Sequence, residues 1–150
     1  MIKTLIPDWL EPFVLRTATL KFEGVTYEYA IVRTDFSETA GCPEMFTTYS
    51  EGLLAVSDAY PDKIREIGLI HEIIEDPDRS TDKHDCVNTL KRELEMAKEQ
   101  GLDIPEYTRF RTQFFDDMVL YYEKKERTEK EDFILAKLRY SQRHLHLLLE

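Results

Sequence analysis

The sequence predicts an α+β fold, a small antiparallel β-sheet of two hairpins followed by about four α-helices, and the change in apolar spacing predicts it. Up to residue 56 apolar and polar side chains alternate around glycine-centred turns, the period of a half-buried strand. From Tyr60 onward the spacing widens to about 3.6 residues, the period of a helix. No low-complexity linker or internal repeat separates the halves, so residues 1–150 read as a single domain.

Each element follows from local chemistry. Thr17 to Val32 reads as a hairpin: Leu20 and Phe22 precede Glu23-Gly24, and Val25, Tyr27, Tyr29 and Ile31 alternate with Thr26, Glu28 and Ala30. Thr34 to Pro43, with Gly41-Cys42-Pro43, reads as a connecting loop. A second hairpin joins Met45–Tyr49 to Leu53–Val56 through Ser50-Glu51-Gly52, and Trp9, Leu10, Phe13 and Val14 pack at one side of the sheet. Pro61 suits the first position of a helix, Asp62 complements its dipole, and Ile64, Ile67, His71 and Ile74 form a stripe that Pro77 ends. A second helix is predicted over Thr81 to Gln100, with Val87, Leu90, Leu94 and Ala97 inward and Gly101 as its stop. A third begins near Pro105 with Phe110, Phe114, Met118 and Tyr121 as its core stripe. The fourth starts at Thr128, whose relation to Glu131 is a capping box, and continues through Ile134, Leu138, Ser141, Leu145 and Leu148.

Composition narrows the function. With 42% hydrophobic residues, eight Phe and eight Tyr, the chain can build a core without disulfides, and its two cysteines fit a reducing compartment. Lys3, Pro7 and Asp8 interrupt the first ten residues and no long apolar run follows, so a cytoplasmic protein without a membrane segment is expected. Residues 1–80 carry 15 acidic and 7 basic side chains, against 15 and 13 in residues 81–150. That balance repels phosphate backbones and argues against direct nucleic-acid binding, while a basic protein partner would be attracted.

The strongest candidate site is His71-Glu72-Ile73-Ile74-Glu75, because side chains four apart share a helix face and His71 and Glu75 could grip one metal ion. Zincin metallopeptidases place His-Glu-x-x-His on a helix, where two histidines hold zinc and the intervening glutamate activates water. Leu53 to Glu75, a strand, a short acidic turn and a helix with apolar residues before His-Glu, resembles the sheet-edge strand and active helix of minimal zincins, with Glu75 in place of the second histidine. The resemblance implies that His71 and Glu75 are zinc ligands, Glu72 the general base, and Leu53–Val56 the strand beside which a peptide substrate lies. A carboxylate in place of imidazole weakens the effect of the metal on water acidity, and a third ligand must come from downstream, from His84 or from Glu93 or Glu95.

Two other readings use the same residues. Leu69 to Asp76 is similar to the Leu-His-Asp-x-x-Glu-Asp stretch of HD-type hydrolases that cleave guanosine polyphosphate alarmones. Glu72 replaces the metal-binding aspartate of that family, and no histidine precedes His71 to supply its upstream ligand. Cys42, His71, His84 and Cys86 have the ligand types of a structural zinc site, but their spacing matches no paired-ligand pattern. His144 and His146, two apart on a helix, point in different directions. The sequence therefore leads to a zincin-like metal-binding protein, in a hydrolytic or a degenerate form. The alternative is an acidic interaction module or inhibitor without catalytic activity.

Overall fold

Two Glu-Gly turns organise the first part of the chain. In the computed structural model, which describes residues 1–36, 43–75 and 86–149 without the side chains of 86–88, 148 and 149, β1 (Val14–Phe22) and β2 (Val25–Val32) flank Glu23-Gly24. β3 (Thr47–Ser50) and β4 (Leu53–Ser57) flank Glu51-Gly52. All four turn residues have positive φ, 51° and 77° in the first turn and 51° and 81° in the second. That is the backbone of a type I′ turn, whose twist matches the strands it joins, and glycine adopts it without strain.

The hairpins do not form a purely antiparallel sheet. Strand order is β1-β2-β4-β3, each hairpin is antiparallel, and β2 pairs with β4 in parallel through Ala30–Val32 and Ala55–Ser57. The long connection from β2 to β3 makes this possible, because it lets the returning strand of the second hairpin run beside β2 in the same direction.

Below the parallel pairing the chain start fills the gap between β2 and β4. Ile2 N–H donates to Thr26 O (2.8 Å), Glu28 N–H donates to Ile2 O (2.8 Å), and Leu5 N–H donates to Gly52 O (2.9 Å). The Thr4 hydroxyl accepts from Leu54 N–H (2.8 Å) and donates to Leu54 O (3.3 Å), standing in for a strand at that point. On one sheet face Leu10, Ala30, Val32, Phe36 and Ala55 form a core patched by Phe13, Val14 and Phe46. Trp9 stacks on Phe36 at 5.8 Å, so the expected packing of Trp9 to Val14 at one side of the sheet is present.

The opposite face carries Leu20, Tyr27, Tyr29, Ile31, Leu54 and Val56, all buried. Against β3 and β4 lies α1 (Arg65–Ile74), entered through a short 3-10 turn, Asp62–Ile64, rather than directly at Pro61. Ile67, Leu69 and Ile73 are fully buried, and Arg65, Gly68, Ile70 and His71 are buried as well, so α1 is enclosed around most of its circumference. Burial and the nearby Glu66 carboxylate push the Tyr29 phenol up.

The contact pattern divides the chain into two compact units, Met1–His84 and Asp85–Glu150. The second holds α2 (Cys86–Glu99), α3 (Ile104–Lys124) and α4 (Glu129–Leu149). Gly101, at φ 75°, follows α2 as predicted, and Asp103 caps α3 by accepting from Glu106 N–H (3.0 Å). The capping box is reciprocal: Glu131 N–H donates to Thr128 Oγ1 (3.2 Å) and Thr128 N–H donates to Glu131 Oε1 (3.3 Å). Along α3 the buried stripe is shifted from the predicted one, to Tyr107, Arg111, Phe114, Phe115 and Val119.

Candidate active helix

Arg65, Tyr60 and Gly68 set the position of α1 against the sheet. Arg65, buried, donates from Nε to Tyr60 O (2.9 Å), from Nη1 to Asp62 Oδ1 (2.8 Å) and from Nη2 to Asp58 O (3.0 Å). It thereby ties the end of β4 to the first turn of the helix and satisfies carbonyls that the turn would leave open. Tyr60, fully buried, lies under Gly68, where a Cβ would come within 2.6 Å of the Tyr60 hydroxyl and 3.2 Å of Thr47 Cγ2. Only glycine permits that approach of helix to strand.

One turn beyond Gly68 the close approach brings Glu72 to the sheet. Thr47 Oγ1 on β3 donates to Glu72 Oε1 at 2.9 Å, and Glu72 is half-buried. His71 is 6% exposed, and its Nε2 lies 3.2 Å from Glu75 Oε1, whose side chain retains 20% exposure. The predicted i, i+4 pair thus exists, at the last turn of α1, with Glu75 as the helix C-cap.

The donor set is chemically suited to zinc. Imidazole nitrogen and carboxylate oxygen are both zinc ligands, and two such atoms at about 2.0–2.2 Å from one tetrahedral ion would stand about 3.3–3.6 Å apart. The 3.2 Å separation of His71 Nε2 and Glu75 Oε1 is close to that range. Among the described residues, however, no three His, Cys, Asp or Glu side chains are placed to hold a metal ion. His84 and Cys42 lie outside the described residues, as does the side chain of Cys86.

Two expectations change with the structure. β4 is an interior strand, paired with β2 on one side and β3 on the other, so the Leu53–Val56 backbone is not a sheet edge. The terminal strand beside Glu72 is β3. Glu93, a possible third ligand, is committed within its own unit: 1% exposed, it lies 2.8 Å from Arg111 Nε and accepts from Tyr107 Oη at 2.6 Å.

That cluster leaves no mark in the sequence. Glu93 and Arg111 stand on different helices with no periodic relation, and a buried ion pair looks, one residue at a time, like two surface charges. The Arg111 guanidinium carbon lies 4.9 Å and 5.0 Å from the ring centroids of Phe114 and Phe115, which seal it from water. Gly68 and Arg65 were also missed. A glycine inside an apolar run that is too long for a strand is the signal that could have marked the first, since glycine costs a helix about 1 kcal/mol without a packing reason.

Among the described residues no helix is long and apolar enough to cross a membrane. Comparison with family models, with curated proteins and with solved structures gives no match.

Proposed function

We propose that the chain is a zincin-like metal-binding protein, with His71 and Glu75 as ligands and Glu72 as the general base of a peptide hydrolysis. The observation that carries this reading is the convergence of His71 and Glu75 on the last turn of a helix whose Glu72 is anchored to the terminal strand of the sheet. His84, outside the described residues, is the third ligand in this reading. Zinc, when bound, supplies electrophilic polarisation of a carbonyl. The rest is work for the protein. Thr47 Oγ1 donates to the Glu72 carboxylate beside the terminal strand, and in this reading Glu72 takes the proton of an attacking water. β3 offers an extended peptide a terminal strand to pair with, as in β-strand addition. Arg65 and Gly68 set the distance between helix and strand on which both contacts depend.

The test is turnover of quenched fluorescent peptides by zinc-loaded protein. Glu72→Gln should keep bound zinc and lose hydrolysis. Equal turnover in wild type and variant, or none in either, would remove the hydrolytic reading.

A second reading, an acidic module that docks a basic protein, is favoured by the exposure of Asp8, Glu11, Asp35, Glu44, Asp58 and Glu66 in the first unit. Such binding should weaken steeply as salt rises. A partner whose retention ignores salt would count against it.

A further inference from the structure

The outer face of α4 carries an apolar stripe that nothing in the proposed hydrolysis uses. Phe133, Tyr140 and Leu147 are 66%, 59% and 58% exposed, among the most exposed large apolar side chains of the chain. They recur every seven residues, two helical turns, so they line up along about 21 Å of one helix face. Ala136, also exposed, lies beside this stripe and Arg143 flanks it, while Leu135, Ser141 and Leu145 are buried on the other side of the helix.

Past its first turn, which carries Glu129, Glu131 and Asp132, this helix has the opposite charge to the chain. From Phe133 to Leu147 the sequence holds Lys137, Arg139 and Arg143 and not one carboxylate, in a protein of net charge −10. Lys137 Nζ sits 5.8 Å from the Phe133 ring centroid and Arg139 is paired with Glu123 of α3 at 3.5 Å. Arg143 is exposed between Tyr140 and Leu147.

We infer that the outer face of α4 is a docking surface for an acidic amphipathic helix of a partner protein. A heptad stripe of aromatic and leucine side chains is the surface that a helix with its own apolar seam covers, and flanking carboxylates would meet Lys137 and Arg143. A second copy of this chain fits poorly. In an antiparallel pair centred on Tyr140, Lys137 of one copy faces Arg143 of the other; in a parallel pair each cation faces its own equivalent. Both arrangements set like charges across the seam.

The experiment uses the full chain and synthetic 21-residue helical peptides with leucine at the seam positions and glutamate at the flanks, followed by fluorescence anisotropy. The glutamate peptide should bind saturably and more weakly as salt rises. Tyr140→Glu and Arg143→Glu should each weaken it by about tenfold or more, the scale expected of a seam anchor or a facing charge. Both positions are exposed, and circular dichroism melting checks that the variants remain folded. The inference is overturned by absence of saturable binding, by affinity that neither variant changes, or by a concentration-dependent wild-type dimer in sedimentation that Tyr140→Glu dissolves, which would make a second copy the occupant.

Discussion

Each unit pairs a carboxylate with a buried cation-forming side chain, and the two pairs differ in sequence spacing and in exposure. His71 and Glu75 are four residues apart on one helix, and Glu75 keeps 20% of its side chain in solvent. Glu93 and Arg111 come from two helices, with side chains 1% and 4% exposed, and Tyr107, Phe114 and Phe115 complete their enclosure. The first pair is partly exposed on its carboxylate side. The second is enclosed on both sides. Removing one member of an enclosed pair leaves an uncompensated buried charge, whereas a partly exposed pair loses little when its carboxylate is removed.

The largest expected effect sharpens that contrast. Arg111→Met leaves the Glu93 carboxylate buried without its cation, a change that costs about 3–5 kcal/mol in such settings. Thermal unfolding of the variant should show it directly, and a loss under about 1 kcal/mol would mean that water reaches Glu93. Tyr107→Phe removes one hydrogen bond to the same carboxylate and should cost about 1.5–3 kcal/mol.

The first unit should respond asymmetrically. His71→Ala opens a cavity under α1 and should cost about 1–3 kcal/mol in metal-free protein, whereas Glu75→Ala, on the solvent side, should cost about 0–1 kcal/mol. Gly68→Ala should destabilise by about 1–3 kcal/mol despite the better helix propensity of alanine, because its Cβ would press on Tyr60. A more stable Gly68→Ala variant would show that α1 can retreat from β3 without loss. In contrast, a Cβ at Gly24 meets no neighbouring atom, so the cost of Gly24→Val, about 1–2 kcal/mol, is chiefly backbone strain.

The smallest effect is electrostatic and sits at the start of α4. The Lys125 side chain and the Thr128 backbone hold Glu131 below the usual glutamate range. A depressed folded-state value means that the contribution is present above the unfolded value and lost as pH falls through the folded one. Acid unfolding followed at 222 nm should therefore begin at higher pH in Glu131→Gln, which lacks this contribution throughout, than in wild type, and the difference should vanish once Glu131 itself is protonated.

How much of this was legible in the sequence depends on range. The hairpins and the helices of the described residues follow from spacing and turn chemistry, and the Thr128–Glu131 box and Gly101 stop were readable because their physics spans four residues. Ile2–Leu5 could not be read as part of the sheet: it joins through three backbone bonds and the hydroxyl of Thr4, a partnership with Leu54 that leaves no periodic trace. The parallel pairing of β2 with β4 was invisible for the same reason. At the candidate site the pair His71–Glu75 was legible as an i, i+4 relation, but the strand beside it was misassigned. Which strand of a hairpin lies at the edge is decided by the rest of the sheet. The Glu93–Arg111 pair was beyond reach because eighteen residues and a turn separate its members.

In the proposed reading His71–Glu75, and not Glu93–Arg111, holds the metal. Zinc content of protein purified without an affinity tag, measured by mass spectrometry after exhaustive dialysis, tests it most directly. The account predicts about one zinc ion per chain in the wild type and in Tyr107→Phe, and background zinc in His71→Ala and Glu75→Ala. Background zinc in the wild type, or zinc that survives both substitutions, would contradict it.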